Sequence, residues 1–288
     1  MRLAVTAVVL WPVFGSGPPL SADTSGAPSA NVLQATTSQA ARQSAIQSIP
    51  IEKLDPQARA KVRSVLSDIA VFRRLPVRVI DCDPHLYLFL VRNPDVVVNI
   101  WEVLKVSSLQ LRQVRAGKYR VAESAGTLAT VEFLYGSHDT HVIYAEGSYD
   151  GPLFARPIKG RCLMVLRSGY VREPNGRYYI TTRLDTFISV DHGGAELLTK
   201  TFHPLVGKTA DLNFVQTVAF LGSLSRTAEV NSRGVQRLAS KLSHVAPEAR
   251  LELAELAADI AQKTTASADR ETASSPQVAS RGGTAGRD

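Results

Sequence analysis

The order of secondary-structure elements between residues 77 and 230 is the feature that most constrains the fold. One strand-like run at 77–82 is followed by two short helices and then by six further strand-like runs. A long helical segment, 194–230, comes last. This order predicts an α+β fold in which a seven-stranded, curved antiparallel sheet wraps around the long C-terminal helix, with extra helices at both ends.

Turn-forming residues mark the ends of the six later strands. Most connections are short and contain glycine, as at Ala116-Gly117 and Asn175-Gly176, and such links favour antiparallel pairing of consecutive strands. The connection 151–160 is longer and suits a lid or an edge loop. The strands are predicted at 109–114, 118–123, 127–135, 140–149, 161–170 and 177–190.

Capping residues locate the helices. Asp83-Pro84 and Asn93-Pro94 each place a capping side chain before a proline, which suits the first helical position, so they predict helices at 85–92 and 95–104. Asp55-Pro56 likewise opens a helix over about 56–73. Pro204 is expected to kink or interrupt the long helix. Two further amphipathic helices are expected at about 232–244 and 248–263.

The ends of the chain differ in composition from its middle. Residues 3–14 form an apolar run behind Met1-Arg2, which is typical of a secretory signal peptide with cleavage after Ala22 or Ala30. About twelve residues are too few to span a bilayer, so we expect an exported protein, periplasmic or extracellular, with no stable membrane span. The predicted organisation is a signal peptide (1–22), a disordered linker (23–50), an N-terminal helix (51–76), the main domain (77–230), a helical extension (231–263) and a disordered tail (264–288).

Charge and cysteine content restrict the classes of function. The net charge is +7 at pH 7, but the basic residues are scattered and not interleaved with aromatics, which argues against nucleic-acid binding. The two cysteines, Cys82 and Cys162, are too few for a disulfide framework. An oxidising compartment permits one bridge between them, whereas their positions in predicted strands favour two buried free thiols.

The order of elements resembles the START-like (Bet v 1-like, SRPBCC) helix-grip superfamily over 77–230, a little over half the chain. The segment DCDPHLYLFLVRNPDVVVNIWEVL at 81–104 also resembles uncharacterised exported bacterial proteins of this kind. The resemblance implies a hydrophobic cavity between sheet and long helix, in a superfamily whose members carry lipids, cyclise polyketides or hydroxylate rings. No residue-level motif transfers any of these activities, and the Cys-His cluster of the iron–sulfur branch is absent from the sequence.

Alternation along the last two strands predicts which side chains face that cavity. In 161–170 the set Cys162, Met164, Leu166 and Ser168 is the more apolar and is expected to face inward. The corresponding set in 178–189 consists of the even-numbered residues. Arg167, Arg183 and Asp185 are then expected to face water or an end helix.

Five residues are the candidate ligand-binding set. Among the aromatics, Trp101 and Tyr144, together with Phe214, are placed to line a pocket, although aromatic residues also form cores. Charged residues inside apolar strands can fix a carboxylate or phosphate head group if they face inward, and form cross-strand ion pairs if they face outward. The set is Trp101, Tyr144, Glu146, Arg167 and Arg183.

Two polar clusters contain the kinds of side chain found in metal or catalytic sites. His138, Asp139 and His141 carry ligand-type side chains, but a polar hairpin turn explains them equally, and helix capping and strand alternation explain the cluster at 81–85. The sequence contains no G-x-S-x-G motif. We therefore assign no catalytic residue, metal or cofactor.

Three functions fit these observations. The leading prediction is an exported protein that binds an apolar or amphipathic, lipid-like small molecule in its cavity. The alternatives are a cavity-based enzyme of the cyclase, hydrolase or dehydratase type, and a protein-interaction module with a filled core. Inward-facing ionisable groups within reach of one another would favour the enzyme, and a packed interior would favour the interaction module.

Overall fold

The computed structural model describes residues 34–124, 126–151, 157–191 and 203–274. The predicted signal peptide, the centre of the 151–160 connection, the start of the predicted long helix and the end of the predicted tail lie outside these residues. The helices are α1 (Gln39–Gln47), α2 (Pro56–Leu66), α3 (Pro84–Arg92), α4 (Pro94–Val103), α5 (His203–Ser240) and α6 (Pro247–Ser274), with a 3₁₀ turn at Ile51–Lys53. The strands are β1 (Val71–Arg74), β2 (Arg78–Asp81), β3 (Gln110–Arg115), β4 (Lys118–Ala122), β5 (Thr127–Gly136), β6 (Thr140–Tyr149), β7 (Ile158–Arg172) and β8 (Tyr178–Val190).

The strands form one antiparallel sheet in the order β1-β8-β7-β6-β5-β4-β3, and β2 also pairs with β8. The α+β, helix-grip-like arrangement predicted from the order of elements is confirmed, with eight strands instead of seven. The extra strand arises because β1 and β2 pair with opposite ends of β8: Val71 lies across from Ile188, and Asp81 lies across from Tyr179. Residues 75–77, which include Pro76, lie between the two short strands.

Short glycine turns join the strands as predicted. Gly117, Gly126 and Gly176 all adopt positive φ, which side-chain-bearing residues rarely do. At Gly126 the backbone oxygen of Asp150 occupies the space of a β-carbon, so only glycine fits there. The β4–β5 turn is therefore fixed both by its own conformation and by its contact with the end of β6.

The sheet is strongly bent. Leu111 of β3 and Thr182 of β8 border the same cavity, although five strand-to-strand steps separate them in the sheet. At about 4.8 Å per step these residues would lie roughly 24 Å apart in a flat sheet. We call the face that borders the cavity the inner face and the opposite one the outer face.

Different helices cover the two faces. The apolar residues of the inner face form one core with α3, α4, α5 and α6. The outer face forms a second, smaller core with α1 and α2, in which Leu163, Val165 and Phe187 are fully buried. Each strand therefore contributes alternate side chains to two separate cores.

Contacts of Ser225 and Glu229, one turn apart on the same side of α5, hold the helix against the inner face. The hydroxyl of Ser225 accepts a hydrogen bond from the backbone N–H of Asp83 at 2.9 Å. The guanidinium of Arg177, at the start of β8, contacts Asp81 at 2.7 Å and Glu229 at 3.1 Å. These contacts tie the long helix to the strand and helix that precede it in sequence.

Several boundaries differ from the sequence prediction. The helix expected over 56–73 ends at Leu66, and Phe72 belongs to β1, where its ring lies 5.1 Å from that of Phe187. Helical spacing of apolar residues extended the prediction too far, because a tertiary aromatic contact recruits Phe72 to the sheet.

Two segments expected to be disordered are partly helical. The linker 23–50 contains α1, which is capped by Ser38 and buries Ala41 and Ala45 against the outer core. Small side chains allow this close approach, so a composition poor in large apolar residues was misleading here. The tail expected from Thr264 onward continues α6 as far as Ser274.

The break expected between the long helix and the next one is found. The backbone of Asn231 is non-helical, and its side chain accepts a hydrogen bond from the N–H of Gly234, which separates α5 into the two expected helices. Pro204 lies in the first turn of α5, where proline is tolerated, and the residues before His203, where the long helix was expected to begin, lie outside the described ranges.

The caps of the two short helices are unequal. The carboxylate of Asp83 accepts hydrogen bonds from the backbone N–H groups of His85 and Leu86, as predicted. Asn93 does not cap α4 with its side chain; instead its amide donates to the backbone oxygen of Phe89 and closes α3.

Candidate functional site

The inner face of the sheet, α3, α4 and α5 enclose a cavity of about 130 Å³. Side chains alternate between the two faces along each strand, so every second residue faces the cavity. Val131, Ile143 and Met164 are examples. Its aromatic lining consists of Tyr87, Trp101, Phe133 and Phe214. The cavity is about the size of an engineered protein cavity of roughly 150 Å³ that binds benzene.

Six described lining residues carry polar side-chain nitrogen or oxygen atoms: Tyr87, Trp101, Glu123, Thr127, Thr182 and Thr217. Three of the hydroxyls have protein partners other than Glu123: Tyr87 pairs with Ser168 at 2.7 Å, Thr182 with the backbone oxygen of Arg78 at 3.4 Å, and Thr217 with that of Asn213 at 2.8 Å. These side chains are therefore satisfied without a ligand.

Glu123 is the exception. Its carboxylate accepts one hydrogen bond from the hydroxyl of Thr127 at 3.2 Å, and within the described ranges it has no further hydrogen bond or ion pair. The residue is half-buried at the β4–β5 turn, in the wall of the cavity. Burial raises the pKa of Glu123 to about 7, and the hydrogen bond from Thr127 opposes that rise.

Glu123 was not among the residues selected from the sequence, although a signal for it was present. Tyr119, Val121 and Glu123 are spaced two apart in the predicted strand 118–123, so all three share one face. Tyr119 and Val121 are packed in the inner core. The alternation along this strand therefore predicts that Glu123 shares the face of Tyr119 and Val121.

The five candidate residues are divided between the two faces. Trp101 lines the cavity, with its ring 5.4 Å from that of Phe220, and Phe214 lines it as well. Tyr144 lies on the outer face, in the core beneath α2, so the expectation that it lines the pocket was wrong. The single-residue offset between Ile143, which faces the cavity, and Tyr144 decides this placement.

Glu146, Arg167 and Arg183 also belong to the outer-face set of their strands. Glu146 accepts a hydrogen bond from the hydroxyl of Tyr144 at 3.0 Å and lies in an open groove with Arg161. Arg183 is directly across from Arg167, and its Nε lies 3.5 Å from Asp185 Oδ2. The outward orientation expected for both arginines is correct, so they are not placed to fix a head group in the cavity.

Asp185 forms a buried ion pair on the outer face. Its carboxylate is fully buried and is bound by Arg74, with Nε at 2.6 Å from Oδ1 and Nη2 at 3.1 Å from Oδ2. Arg74 Nη2 also donates to the backbone oxygen of Ala41 at 3.3 Å, which links α1 to the sheet. This arrangement explains why an aspartate is tolerated inside the outer core.

The polar clusters considered as metal sites do not assemble in the described ranges. His138 lies against the ring of Tyr170, with 4.2 Å between ring centroids, whereas His141 is fully buried on the inner side of the sheet. No group of three or more metal-ligating side chains occurs among the described residues. Cys82 and Cys162 are both buried and free.

Comparisons with known proteins give structural likeness alone. No family model and no curated protein matches the sequence. Three solved bacterial structures are similar to this chain: jhp0584 of Helicobacter pylori (12% identity, 50% of this chain and 84% of that one, TM-score 0.33), a conserved protein of Geobacillus kaustophilus (9%, 53% and 93%, 0.35) and an uncharacterised protein of Rhizobium leguminosarum (16%, 52% and 94%, 0.30). In the part of the chain that the structure describes, no helix is long and apolar enough to cross a membrane.

Proposed function

We propose that this protein binds an apolar or amphipathic small molecule in the cavity between its sheet and α5. The single observation that carries the proposal is the cavity itself, a space of about 130 Å³ whose walls are almost entirely apolar. Protein interiors are normally close-packed, so an apolar space of this size at the centre of the core suits a ligand. The proposal places the chain among START-like, lipid-carrying proteins.

The lining supports binding over the two alternatives. An acid–base enzyme would need ionisable side chains within reach of one another, and among the described lining residues Glu123 is the only carboxylate and there is no histidine. An interaction module would need a filled core, whereas the centre of this one is open. Carriage or sensing of a small molecule requires only the cavity.

Native mass spectrometry of the purified protein, followed by extraction and identification of any bound molecule, tests the proposal. The expected result is an adduct that organic extraction removes. Ala129→Leu, which fills the cavity from β5, should abolish the adduct, and Thr130→Leu, the neighbouring position on the outer face, should retain it. Absence of any adduct, together with no binding of added hexan-1-ol, would refute a ligand-binding role.

Export from the cell is the second part of the proposal. It rests on the apolar run at 3–14, which lies outside the described residues. The first 30 residues, fused to a reporter that functions only outside the cytoplasm, should give signal and a shortened product. A reporter that stays cytoplasmic at full length would contradict export.

A further inference from the structure

We infer that the cavity selects amphipathic ligands whose polar end is a protonated amine, with the carboxylate of Glu123 as its partner. This inference rests on the proposed cavity-binding function and adds the class of head group. Three observations support it: the position of Glu123 in the cavity wall, the acceptor capacity that its neighbours leave unused, and the charge of the described lining residues.

The lining offers a carboxylate and no described cation. No lysine or arginine is found among the described residues that border the cavity. A fatty acid or phosphate ester would therefore bring a second negative group toward Glu123 without a counter-ion, which costs free energy in an apolar site. An ammonium group instead supplies the opposite charge and up to three N–H donors.

The acceptor capacity of Glu123 is largely unused. A carboxylate has two oxygens and about four lone-pair sites, and in the described part of the chain Glu123 receives one side-chain hydrogen bond, at Oε2, from Thr127. The hydroxyls of Tyr87, Thr182 and Thr217 already have their own partners. A ligand donor that enters the cavity therefore meets one carboxylate, which is a stronger acceptor than the neutral hydroxyl oxygens of the lining.

The turn that carries Glu123 holds it in place. The backbone N–H of Glu123 donates to Thr127 at 3.0 Å, and its oxygen accepts from Gly126 at 3.1 Å. Gly126 is in turn fixed against Asp150, whose N–H donates to it at 2.9 Å. The backbone hydrogen bonds therefore fix the position of Glu123 in the cavity wall.

The raised pKa of Glu123 agrees with this assignment. The cause of the rise is burial of a carboxylate that has no cationic partner. An ammonium group at the site would remove that cause. The size of the cavity favours a tail of about six carbons, since a space of similar volume accepts benzene.

Three ligands that share a six-carbon chain test the inference: hexylamine, hexan-1-ol and hexanoate. Dissociation constants are measured by calorimetry or by NMR titration at pH 8, where Glu123 is mostly ionised and the alkylamine, like a lysine side chain, is protonated. The wild-type protein should bind hexylamine about tenfold more tightly than hexan-1-ol, the low end for a hydrogen bond to a charged group. Hexanoate should bind most weakly.

Glu123→Gln should abolish the preference for the amine, so that hexylamine binds no more tightly than hexan-1-ol, and leave the affinity for the alcohol nearly unaffected. Glu146→Gln, the same change on the outer face, should keep the full preference for the amine. If the wild-type protein binds hexan-1-ol as tightly as hexylamine, or Glu123→Gln keeps the preference, the inference fails while the cavity function stands. If the wild type binds none of the three ligands, the proposed function itself fails.

Discussion

The inner and outer faces of the sheet are built from the same strands, yet they are packed to different degrees. On the outer face Leu163 and Phe187 are fully buried beneath α1 and α2 in a continuous core. On the inner face Met164, the residue next to Leu163, and Leu184, three residues before Phe187, border the cavity. The two short N-terminal helices close tightly on their face, whereas the bent sheet and α5 leave space between them.

The two faces also differ in the partners that they provide for a carboxylate. Asp185 on the outer face is fully buried and held by two hydrogen bonds from Arg74. Glu123 on the inner face has no described cationic partner, and burial raises its pKa to about 7. A carboxylate that is paired inside the protein stabilises structure, and one that is left unpaired at a cavity is available to a ligand.

The largest expected loss of stability comes from a substitution on the outer face. Arg74→Ala leaves the Asp185 carboxylate buried without its bidentate partner and should lower the free energy of unfolding by about 4 kcal/mol. Urea denaturation measures it. Arg183→Ala removes the longer contact to the same carboxylate and should cost less than about 1 kcal/mol. Equal losses in the two variants would contradict the assignment of Arg74 as the main partner.

Truncation of neighbouring residues in β7 compares the packing of the faces directly. Leu163→Ala opens a new cavity in a filled core and should cost about 3–4 kcal/mol. Met164→Ala enlarges an existing cavity where some contacts are already missing, so it should cost about 2 kcal/mol. The same denaturation experiment reports both values, and a larger loss at Met164 would show that the inner face is the better packed one.

The stability at acid pH should depend on His141. Burial, with a smaller contribution from the charge of Arg92, lowers the pKa of His141 from 6.5 to about 4. The unfolded chain therefore binds more protons between these values, so stability is lost as the pH falls from about 6.5 to about 4 and levels off below.

His141→Phe removes this dependence, and the difference between variant and wild type should reach about 3 kcal/mol at most. Thermal melts at pH 7, 5.5 and 4 measure it. Asp139 and His138 also act on the imidazole, in opposite directions, and His138→Gln serves as the control with the acid dependence retained. A wild-type protein equally stable at pH 7 and pH 4 would contradict the buried, neutral state of His141.

The smallest expected change in stability comes from Glu123, and its dependence on pH is opposite to that of His141. Its pKa is raised from 4.5 to about 7, so the folded chain holds more protons between these values and stability is lost as the pH rises through that range. Glu123→Gln should therefore melt at a higher temperature than wild type at pH 8 and at the same temperature at pH 4. A variant that is less stable than wild type at pH 8 would show that the carboxylate already has a partner.

Most of the sheet could be predicted from sequence because its signals are local. Glycines at positive φ mark the turns before β4 and β8, and alternation along β7 and β8 assigns their faces. The assignment of Phe72 failed for a non-local reason, since its contact with Phe187 joins residues far apart in the chain. The same applies to α1, whose small side chains gain their burial from a sheet that forms later in sequence.

The candidate site was predicted less completely than the fold. Trp101 borders the cavity, Tyr144 lies in the outer core, and Glu123, which was not among the candidates, also borders the cavity. Each of these outcomes depends on which side of a strand or helix is covered, and by what. Alternation sorts residues into two sets, but both sets of β6 contain buried apolar residues, so sequence polarity does not say which of them faces the cavity.

The sequence by itself determined the order of the strands and helices, their turns and most caps, because these depend on neighbouring residues and on backbone conformation. Only the tertiary structure decided that two cores lie on the two faces, that Arg74 meets Asp185, and that Glu123 lies beside an apolar space with no cation among the described lining residues. These properties depend on how a bent sheet and its helices fit together, and side chains distant in sequence set that fit.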